Sequence, residues 1–471
     1  MSEILRERYA TPEMVEVFSP DRRYRTWREL WLVLARAQRD LGLPISEEQI
    51  WGLEEAAGRI DLERVAALER ETRHDVVAHL RHFAEQAASG GGILHLGATS
   101  AYITDNTDVL LQRAALELLR RRLLALAAEL TAFARRTATI PTLAYTHFQP
   151  AQLTTVGKRA CLWLQDVMED LAAVDHRLRR LRCRGVKGTT GTQASFLTLF
   201  DGDHERVVEL DRRVARALGF ERSWAVTGQT YPRKQDSQVL AALAGIAETC
   251  HKLGTDLRLL QGVGELAEPF GDAQVGSSAM AYKRNPVRAE RMCGLARRLL
   301  TDTLNGPLNA ATQWLERSLD DSANRRLVLE DAFLTSDAIV HLAAGIVRGL
   351  TVHETVIAAR VARELPFMAT ETLLMEAVVR GGDRQALHER LRRYSLEAQE
   401  TIARGDDNPL VERIAGDPDF RMSREEIGAL LDPRAFTGRS AEQVEAFLGA
   451  EVDPVLERDG AMRAAVEEPR V

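Results

Sequence analysis

The chain of 471 residues has few of the features that mark several common classes of protein. Its four cysteines are scattered without a Cys-x-x-Cys pair, so we expect neither a disulfide framework nor a zinc ribbon. It has no run of 18 apolar residues, which argues against a membrane span, and its first residues lack the apolar stretch of a signal peptide. The expected location is therefore the reducing cytoplasm.

The charge balance lacks a basic excess. A formal net charge of −7 gives no reason to expect binding to nucleic acid or to a membrane surface. Lysine is also scarce, because only five of the 62 basic residues are lysine, at positions 158, 187, 234, 252 and 283. In a chain so rich in arginine, a lysine can remain by drift alone or because its position needs a compact ammonium group.

Helical periodicity, in contrast, is abundant. The apolar content is 45%, and along residues 156–181 the apolar positions recur at steps of three and four over about seven turns. The same pattern predicts long helices over residues 106–139, 233–268, 286–304 and 321–350. These helices are far longer than the mean of about 11–12 residues. They predict an all-α protein built on an elongated helical bundle.

The two ends of the chain have shorter predicted helices than the middle, broken by proline and glycine. We therefore predict an N-terminal helical domain (1–99), a central long-helix bundle (100–352) and a C-terminal helical domain (353–471). Function is expected in the polar, glycine-containing segments between the long helices, because binding and catalytic residues concentrate in loops on a rigid scaffold. These segments are residues 90–105, 144–152, 183–195, 226–235, 269–286 and 305–317.

Two motifs suggest a phosphate loop or a metal site, but both are incomplete. Residues 271–278 have the glycine spacing of a phosphate-binding P-loop, yet its lysine is missing and no strand pattern precedes it. His74, His79 and His82 are close in sequence, but neither a His-Glu-x-x-His motif nor further ligands at a recognised spacing accompany them. We expect neither a metal ion nor another cofactor.

The most informative segment is the loop of residues 275–286, which reads Val-Gly-Ser-Ser-Ala-Met-Ala-Tyr-Lys-Arg-Asn-Pro. A purely structural interpretation makes Asn285 the N-cap and Pro286 the first residue of the next helix. It leaves the Gly-Ser-Ser triplet and Lys283 unexplained. The loop resembles the signature of the fumarase/aspartase superfamily, whose members eliminate fumarate from succinyl compounds. Ala281 stands where that family usually has proline, and it bears on the stiffness and closing rate of the loop.

Eight further motifs are distributed along nearly the whole chain, at residues 72–75 (Thr-Arg-His-Asp), 95–100, 146–152 (Thr-His-Phe-Gln-Pro-Ala-Gln), 187–193, 227–231, 320–326, 365–371 and 436–439. These motifs resemble the adenylosuccinate lyase family, and most closely its animal-type branch. The resemblance implies a homotetramer with a twenty-helix core and active sites built from three chains. It also implies cleavage of adenylosuccinate to AMP, and of succinyl-aminoimidazole-carboxamide ribotide to aminoimidazole-carboxamide ribotide, in purine nucleotide biosynthesis.

The family reaction breaks a carbon–nitrogen bond by β-elimination, which needs a base, an acid and a cradle for negative charge on a carboxylate. The resemblance implies Ser277 as the base, activated by backbone N–H groups of its loop and by Lys283. It implies that Lys283 and Asn285 hold the developing dianion. It makes His147 the general acid, since imidazole exchanges protons near neutral pH. His74 matches a second family histidine that orients or assists.

The resemblance also implies three groups of substrate-binding residues. The phosphate clamp comprises Arg8, Tyr9, Arg317, Ser322 and Arg326. Guanidinium groups suit this role because they contact two phosphate oxygens at once. The succinyl carboxylates are held by Thr99, Ser100 and Gln229, and the nucleoside is contacted by Arg73, Asp75 and Arg291. Two alternatives stay open: a sister enzyme such as argininosuccinate lyase or fumarase, whose substrates carry no phosphate, and a helical scaffold that has lost activity.

Overall fold

The computed structural model describes residues 3–271 and 273–467, and most of them are helical. The N-terminal helices are α1 (Pro12–Val17), α2 (Pro20–Arg39), α3 (Glu47–Ala56), α4 (Leu62–Thr72) and α5 (Asp75–Gln86). The central helices are α6 (Ser100–Arg136), α7 (Val156–Arg180), α8 (Ala194–Leu199), α9 (His204–Ala217), α10 (Lys234–Gly262), α11 (Val287–Asp302), α12 (Asn305–Thr312) and α13 (Asp320–Arg348). The C-terminal helices are α14 (Glu354–Met368), α15 (Thr370–Val379), α16 (Arg384–Ala403), α17 (Leu410–Ala415), α18 (Arg424–Leu430), α19 (Ser440–Phe447) and α20 (Asp453–Asp459).

Within the described residues, extended structure is confined to two short antiparallel pairs. The first pair consists of β1 (Pro141–Thr146) and β2 (Gln149–Thr155), and the second of β3 (Leu266–Ala267) and β4 (Thr351–Val352). Short 3₁₀- or π-helical turns occupy Leu5–Tyr9, Ala88–Ile93, Thr189–Gly191, Pro418–Phe420, Pro433–Phe436, Leu448–Val452 and Gly460–Met462.

Five long central helices form the bundle that the apolar stripes predict. Helix α6 has 37 residues without glycine or proline and therefore extends about 55 Å. It packs against α7 and α13, while α10 packs against α7, α11 and α13. Helix α13 lies at the centre, because every residue from 329 to 347 is buried, as expected for a helix surrounded by other helices. The prediction of an all-α fold with a central long-helix bundle is confirmed.

Two helix boundaries differ from the prediction by about six residues, whereas the others lie within about three. Helix α6 begins at Ser100 rather than at residue 106, because the polar residues 105–107 are buried between helices instead of forming a loop. The Asn106 side chain there accepts a hydrogen bond from the backbone N–H of Gly185 at 3.0 Å. Helix α10 ends at Gly262 rather than at residue 268, since Gly264 takes a positive φ and the chain then continues into β3.

The predicted loop over residues 144–152 is instead most of a β-hairpin. Thr146 pairs with Gln149, so His147 and Phe148 form a two-residue turn, with φ of 53° and 57°. Positive φ at both central positions matches the twist of the flanking strands. Such turns usually contain Asn-Gly or Asp-Gly, and the sequence gives no such signal here. The hairpin could therefore not be predicted from the sequence pattern.

The buried apolar side chains form two main clusters in the described chain. One runs from the N-terminal helices through the central bundle into α14 and α19. The other joins α15, α16, α17 and α18 near the C-terminal end. The division into domains at residues 99 and 352 stays a prediction. Across residues 3–271 and 273–467, no helix combines the length and the apolar character that a membrane crossing requires.

Candidate active site

A cleft of about 370 Å³ opens where the N-terminal ends of α6 and α13 meet α2 and α5. Four residues predicted to bind substrate line it: Asp75, Arg317, Ser322 and Arg326. Asp75 is the first residue of α5, Ser322 and Arg326 lie in the first turns of α13, and Arg317 lies in the segment before it. The structure therefore brings together residues that are far apart in the sequence.

Asp75 and Arg326 face each other across this cleft. A guanidinium nitrogen of Arg326 donates to a carboxylate oxygen of Asp75 at 2.6 Å. Burial alone would raise the pKa of Asp75, but the hydrogen bond and charge of Arg326 lower it below its ordinary value. The Arg326 side chain stays 62% exposed, so it can contact a ligand in the cleft while its partner remains ionised.

A buried network of ion pairs forms part of the wall of the cleft. Arg233 donates to Asp105 at 3.2 Å and to Asp321 at 2.6 Å, and Arg317 donates to the other oxygen of Asp321 at 2.8 Å. Arg325 is buried and donates to Asp236, Asp108 and the Tyr231 hydroxyl. The adjacent arginines 325 and 326 both line the cleft but have different surroundings, because Arg325 is buried in the network and Arg326 is exposed. Burial lowers the pKa of Arg317, and Asp321 opposes that shift.

The residues predicted to hold the succinyl carboxylates lie at the N-terminus of α6. Gln229 Nε2 donates to the Thr99 hydroxyl at 2.6 Å, and the backbone N–H of Thr190 donates to Gln229 Oε1 at 2.6 Å. The Ser100 hydroxyl lies 3.4 Å from His74 Nε2. Backbone N–H groups of a helix N-terminus and hydroxyl groups together suit the binding of a carboxylate.

His74 is held in place by its position at the start of α5. It is the N-cap residue, and its Nδ1 accepts a hydrogen bond from the backbone N–H of Val77 at 3.4 Å. Arg73 precedes it with φ of 55° and ends α4 in the left-handed conformation. This sharp junction between α4 and α5 directs His74 toward Ser100.

The loop of residues 275–286 is closed on itself. A Cβ atom at Gly276 would overlap the carbonyl oxygen of Lys283, so only glycine fits there. The backbone N–H of Met280 donates to the Ser277 hydroxyl at 3.1 Å, and Asn285 Nδ2 donates to the carbonyl oxygen of Gly276 at 2.9 Å. The structure thus corrects the interpretation of Asn285 as N-cap, because Pro286 occupies that position and the Asn285 side chain closes the loop instead. The Lys283 side chain is exposed.

Within one chain, the cleft and the loop of residues 275–286 lie at opposite ends of α10. Arg233 immediately precedes α10 and lines the cleft, whereas Gln261 in its last turn donates to the Arg284 carbonyl oxygen at 2.9 Å. The 29 residues of α10 separate these points by about 43 Å. His147 lies exposed in the turn between β1 and β2, with no hydrogen bond to the described residues of the loop. The structure does not unite Ser277 with the cleft of its own chain.

Like Arg73, His74, Thr99, Ser100 and Gln229, three further predicted residues do not line the cleft. Arg8 is exposed and Tyr9 is half-buried on the turn Leu5–Tyr9, which packs against α13. Arg291 lies on α11, and its Nη1 is buried without a hydrogen-bond partner in the described chain.

Sequence reasoning missed several residues that shape the cleft. Arg23, Tyr24 and Trp27 of α2 and Glu330 of α13 all line it. Arg23 contacts Asp108 of α6 at 3.4 Å, which joins α2 to the wall of the cleft. Position in the helix could have indicated these α2 residues, because residues 23, 24 and 27 share one face at helical spacing and combine charge with aromatic rings.

We expect Ala281→Pro to leave the fold intact and to change turnover only modestly. Residue 281 is exposed and its N–H makes no hydrogen bond to the described residues, so proline removes no contact but restricts Met280. The free energy of unfolding should change by no more than about 0.5–1 kcal/mol. Thermal unfolding and steady-state kinetics check this. Loss of folding would show that the loop conformation depends on alanine.

Comparisons with known proteins give consistent results along the chain. The family described as “Lyase” matches residues 6–300, and “Adenylosuccinate lyase C-terminus” matches residues 366–447. The chain is 46% identical over 457 residues to adenylosuccinate lyase of Saccharomyces cerevisiae, covering 96% of this chain and 95% of that one. It is 44% identical over 456 residues to adenylosuccinate lyase of Schistosoma mansoni, with coverage of 96% and 95%. The crystal structure of fumarate lyase from Mesorhizobium sp. BNC1 has the same fold, with a TM-score of 0.80, 23% identity and coverage of 94% and 99%.

Proposed function

Because the chain belongs to the adenylosuccinate lyase family of the fumarase/aspartase superfamily, we propose that it releases fumarate from adenylosuccinate and leaves AMP. The resemblance found in the sequence motifs is thereby confirmed, and the chain is a lyase. The second proposed substrate is succinyl-aminoimidazole-carboxamide ribotide, which carries the same succinyl-amino group and ribose phosphate. Both reactions belong to purine nucleotide biosynthesis, and the buried, free cysteines support a cytoplasmic location.

The cleft at the N-terminal end of α13 is the observation that carries this proposal. It combines Arg317, Ser322 and Arg326, which provide guanidinium and hydroxyl groups for a phosphate. Argininosuccinate and malate carry no phosphate, so a sister enzyme for either substrate would have no use for such a group. In the same part of the chain, Thr99, Ser100 and Gln229 provide donors for the succinyl carboxylates.

The proposed chemistry assigns one role to each group. The Ser277 alkoxide takes the proton from the carbon beside a succinyl carboxylate, and the electron pair left on that carbon is delocalised onto the carboxylate as a dianion. Lys283 and Asn285 stabilise the dianion. As the pair returns from the carboxylate and forms the new carbon–carbon double bond of fumarate, the carbon–nitrogen bond breaks, its electrons go to the nitrogen, and His147 protonates that nitrogen. The products are fumarate and the nucleotide, and no step of this scheme requires a metal ion or cofactor.

His74 has a supporting role in the same proposal. Its N-cap position and its approach to Ser100 support a function in orienting the succinyl group. Arg73 and Asp75, its neighbours, and Arg291 are proposed to contact the nucleoside. Arg8 and Tyr9 complete the phosphate clamp in this proposal.

We further propose a homotetramer in which each active site combines three chains. The separation of about 43 Å between the cleft and the 275–286 loop along α10 supports this assembly, because a neighbouring chain has to supply the missing part. Large apolar side chains on and around α12 are exposed, and association would bury them. They are Leu304, Leu308, Trp314, Leu315 and Leu319. The domain division at residues 99 and 352 is part of this proposal.

The direct test compares the release of fumarate from two substrates. We expect the purified protein to convert adenylosuccinate into equal amounts of fumarate and AMP, with a kcat of about 1–10³ s⁻¹. Argininosuccinate should release no fumarate under the same conditions. Fumarate from argininosuccinate alone would favour argininosuccinate lyase. If neither substrate gives fumarate, malate is tested next: fumarate from malate would favour a fumarase, and none would favour the scaffold that has lost activity.

A further inference from the structure

A buried carboxylate, Glu265, lies at the base of the hairpin that carries His147. It is 1% exposed, and it immediately precedes β3. Three side chains donate hydrogen bonds to it: the Tyr145 hydroxyl at 2.8 Å, Arg360 Nε at 3.0 Å and the Thr142 hydroxyl at 3.2 Å. Burying a charged carboxylate is costly unless hydrogen-bond donors surround it. Glu265 therefore holds Tyr145, Arg360 and Thr142 in fixed positions around it.

Tyr145 is the member of this group that lies nearest to the turn. Its hydroxyl donates to Glu265 and accepts a hydrogen bond from Arg360 Nη2 at 3.0 Å. Burial raises the pKa of Tyr145, Arg360 opposes this shift, and Glu265 adds to it. The phenol therefore remains protonated and keeps its bond to Glu265. Arg360 belongs to α14, so the hydroxyl ties the hairpin to a second element.

The backbone between Tyr145 and His147 needs such support. The pairing of β1 with β2 shifts register between Leu143 and Tyr145, and irregularities of this kind redirect the side chains that follow. His147 and Phe148 both take positive φ, which is unfavourable for residues with a Cβ. The Phe148 ring packs on the Tyr145 ring, with centroids 5.7 Å apart. Tyr145 thus fixes the turn in two ways. Its hydroxyl is bound to Glu265 and Arg360, and its ring packs against Phe148.

We propose that Tyr145, anchored by Glu265 and Arg360, is a positioning residue that aims the His147 turn for delivery of the proton to the leaving nitrogen. This inference rests on the proposed function, in which His147 is the general acid. Proton transfer requires the donor within hydrogen-bond reach of the acceptor, and a misplacement of about 1 Å can cost about 10²-fold in rate. Tyr145 acts on kcat through His147, without contacting the substrate.

Thr142 provides a matched control on the same carboxylate. Tyr145→Phe and Thr142→Val each remove one hydroxyl that donates to Glu265, and both keep the shape of the side chain. Thr142 lies near the start of β1, far from the turn, whereas Tyr145 is two residues from His147. A purely structural role for the group predicts the same effect on activity from both substitutions.

We expect Tyr145→Phe to lower kcat by about 10- to 100-fold with KM changed by less than about twofold. Thr142→Val should keep the kcat of the original protein, while thermal unfolding shows a similar loss of stability for both variants. Equal kcat values for the two variants would overturn the inference, and so would a Tyr145→Phe enzyme with normal kcat. If Tyr145→Phe failed to fold, Arg360→Lys would take its place, because it removes the guanidinium that donates a hydrogen bond to the Tyr145 hydroxyl. Normal kcat in Arg360→Lys would also overturn the inference.

His147→Gln separates a failure of this inference from a failure of the proposed role of His147, while the release of fumarate from adenylosuccinate by the original protein tests the proposed function itself. If His147→Gln keeps normal kcat, the histidine is not the acid, and its role fails together with that of Tyr145. If His147→Gln loses activity and Tyr145→Phe does not, only the positioning role is wrong. Loss of kcat in both, with Thr142→Val unaffected, supports both assignments.

Discussion

Replacing Ser277 with alanine is expected to lower kcat by about 10²–10⁴-fold while substrate binding is largely retained. The Ser277 oxygen already accepts a hydrogen bond from the backbone N–H of Met280, and donors of this kind stabilise an alkoxide. Alanine removes the oxygen but leaves the contact between Gly276 and Asn285 that closes the loop. Steady-state kinetics with saturating adenylosuccinate measures kcat, and calorimetry on the inactive variant measures binding.

Ser278→Ala is the matched control for this prediction. Ser278 is the exposed neighbour of Ser277, and its side chain makes no hydrogen bond to the described residues. Its replacement should leave kcat close to that of the original protein. Near-normal kcat in Ser277→Ala would place the base elsewhere, and loss of activity in Ser278→Ala alone would assign that role to the neighbouring serine.

The long helices could be predicted from the sequence because burial imposes a repeat on it. The apolar stripe along residues 156–181 corresponds to α7, which ends within one residue of the predicted boundary. The start of α6 could not be predicted in the same way. Asp105 and Asn106 look like loop residues, and only the tertiary structure supplies the partners that let them be buried, Arg233 for Asp105 and Gly185 for Asn106.

For the site residues as well, the sequence identifies candidates, but their contacts depend on the tertiary structure. The resemblance singles out Arg326 over its neighbour Arg325, but only the fold shows why the two differ: Arg325 is buried in an ion-pair network, whereas Arg326 is exposed in the cleft. The resemblance identified Asn285 as a functional residue, but its bond to Gly276 depends on a loop conformation that no local pattern encodes. The contribution of Trp27 to the cleft depends on how α2 packs against α6, which the sequence of α2 does not specify.

The distribution of site residues along α10 has a consequence for the assembled enzyme. Within a chain, the cleft with Arg326 and the loop with Ser277 lie at opposite ends of this helix, and His147 lies on a separate hairpin. In the proposed mechanism, a complete site therefore requires that at least two chains pack side by side with the loop of one at the cleft of another. The proposed tetramer goes further and takes His147 and Ser277 from different chains.

Mixing inactive His147→Gln with inactive Ser277→Ala is therefore expected to restore activity. After subunit exchange at equal concentrations, each site draws His147 from one chain and Ser277 from another. Each of these two positions holds the original residue with a probability of about one half, so about one quarter of the sites contain both. Activity should rise from near zero to about one quarter of that of the original protein. Exchange is verified by native mass measurement of chains carrying tags of different mass, and each variant exchanged with itself serves as the control. If hybrids form and activity stays at the level of the controls, the acid and the base act from one chain, and the proposed sharing of sites is wrong.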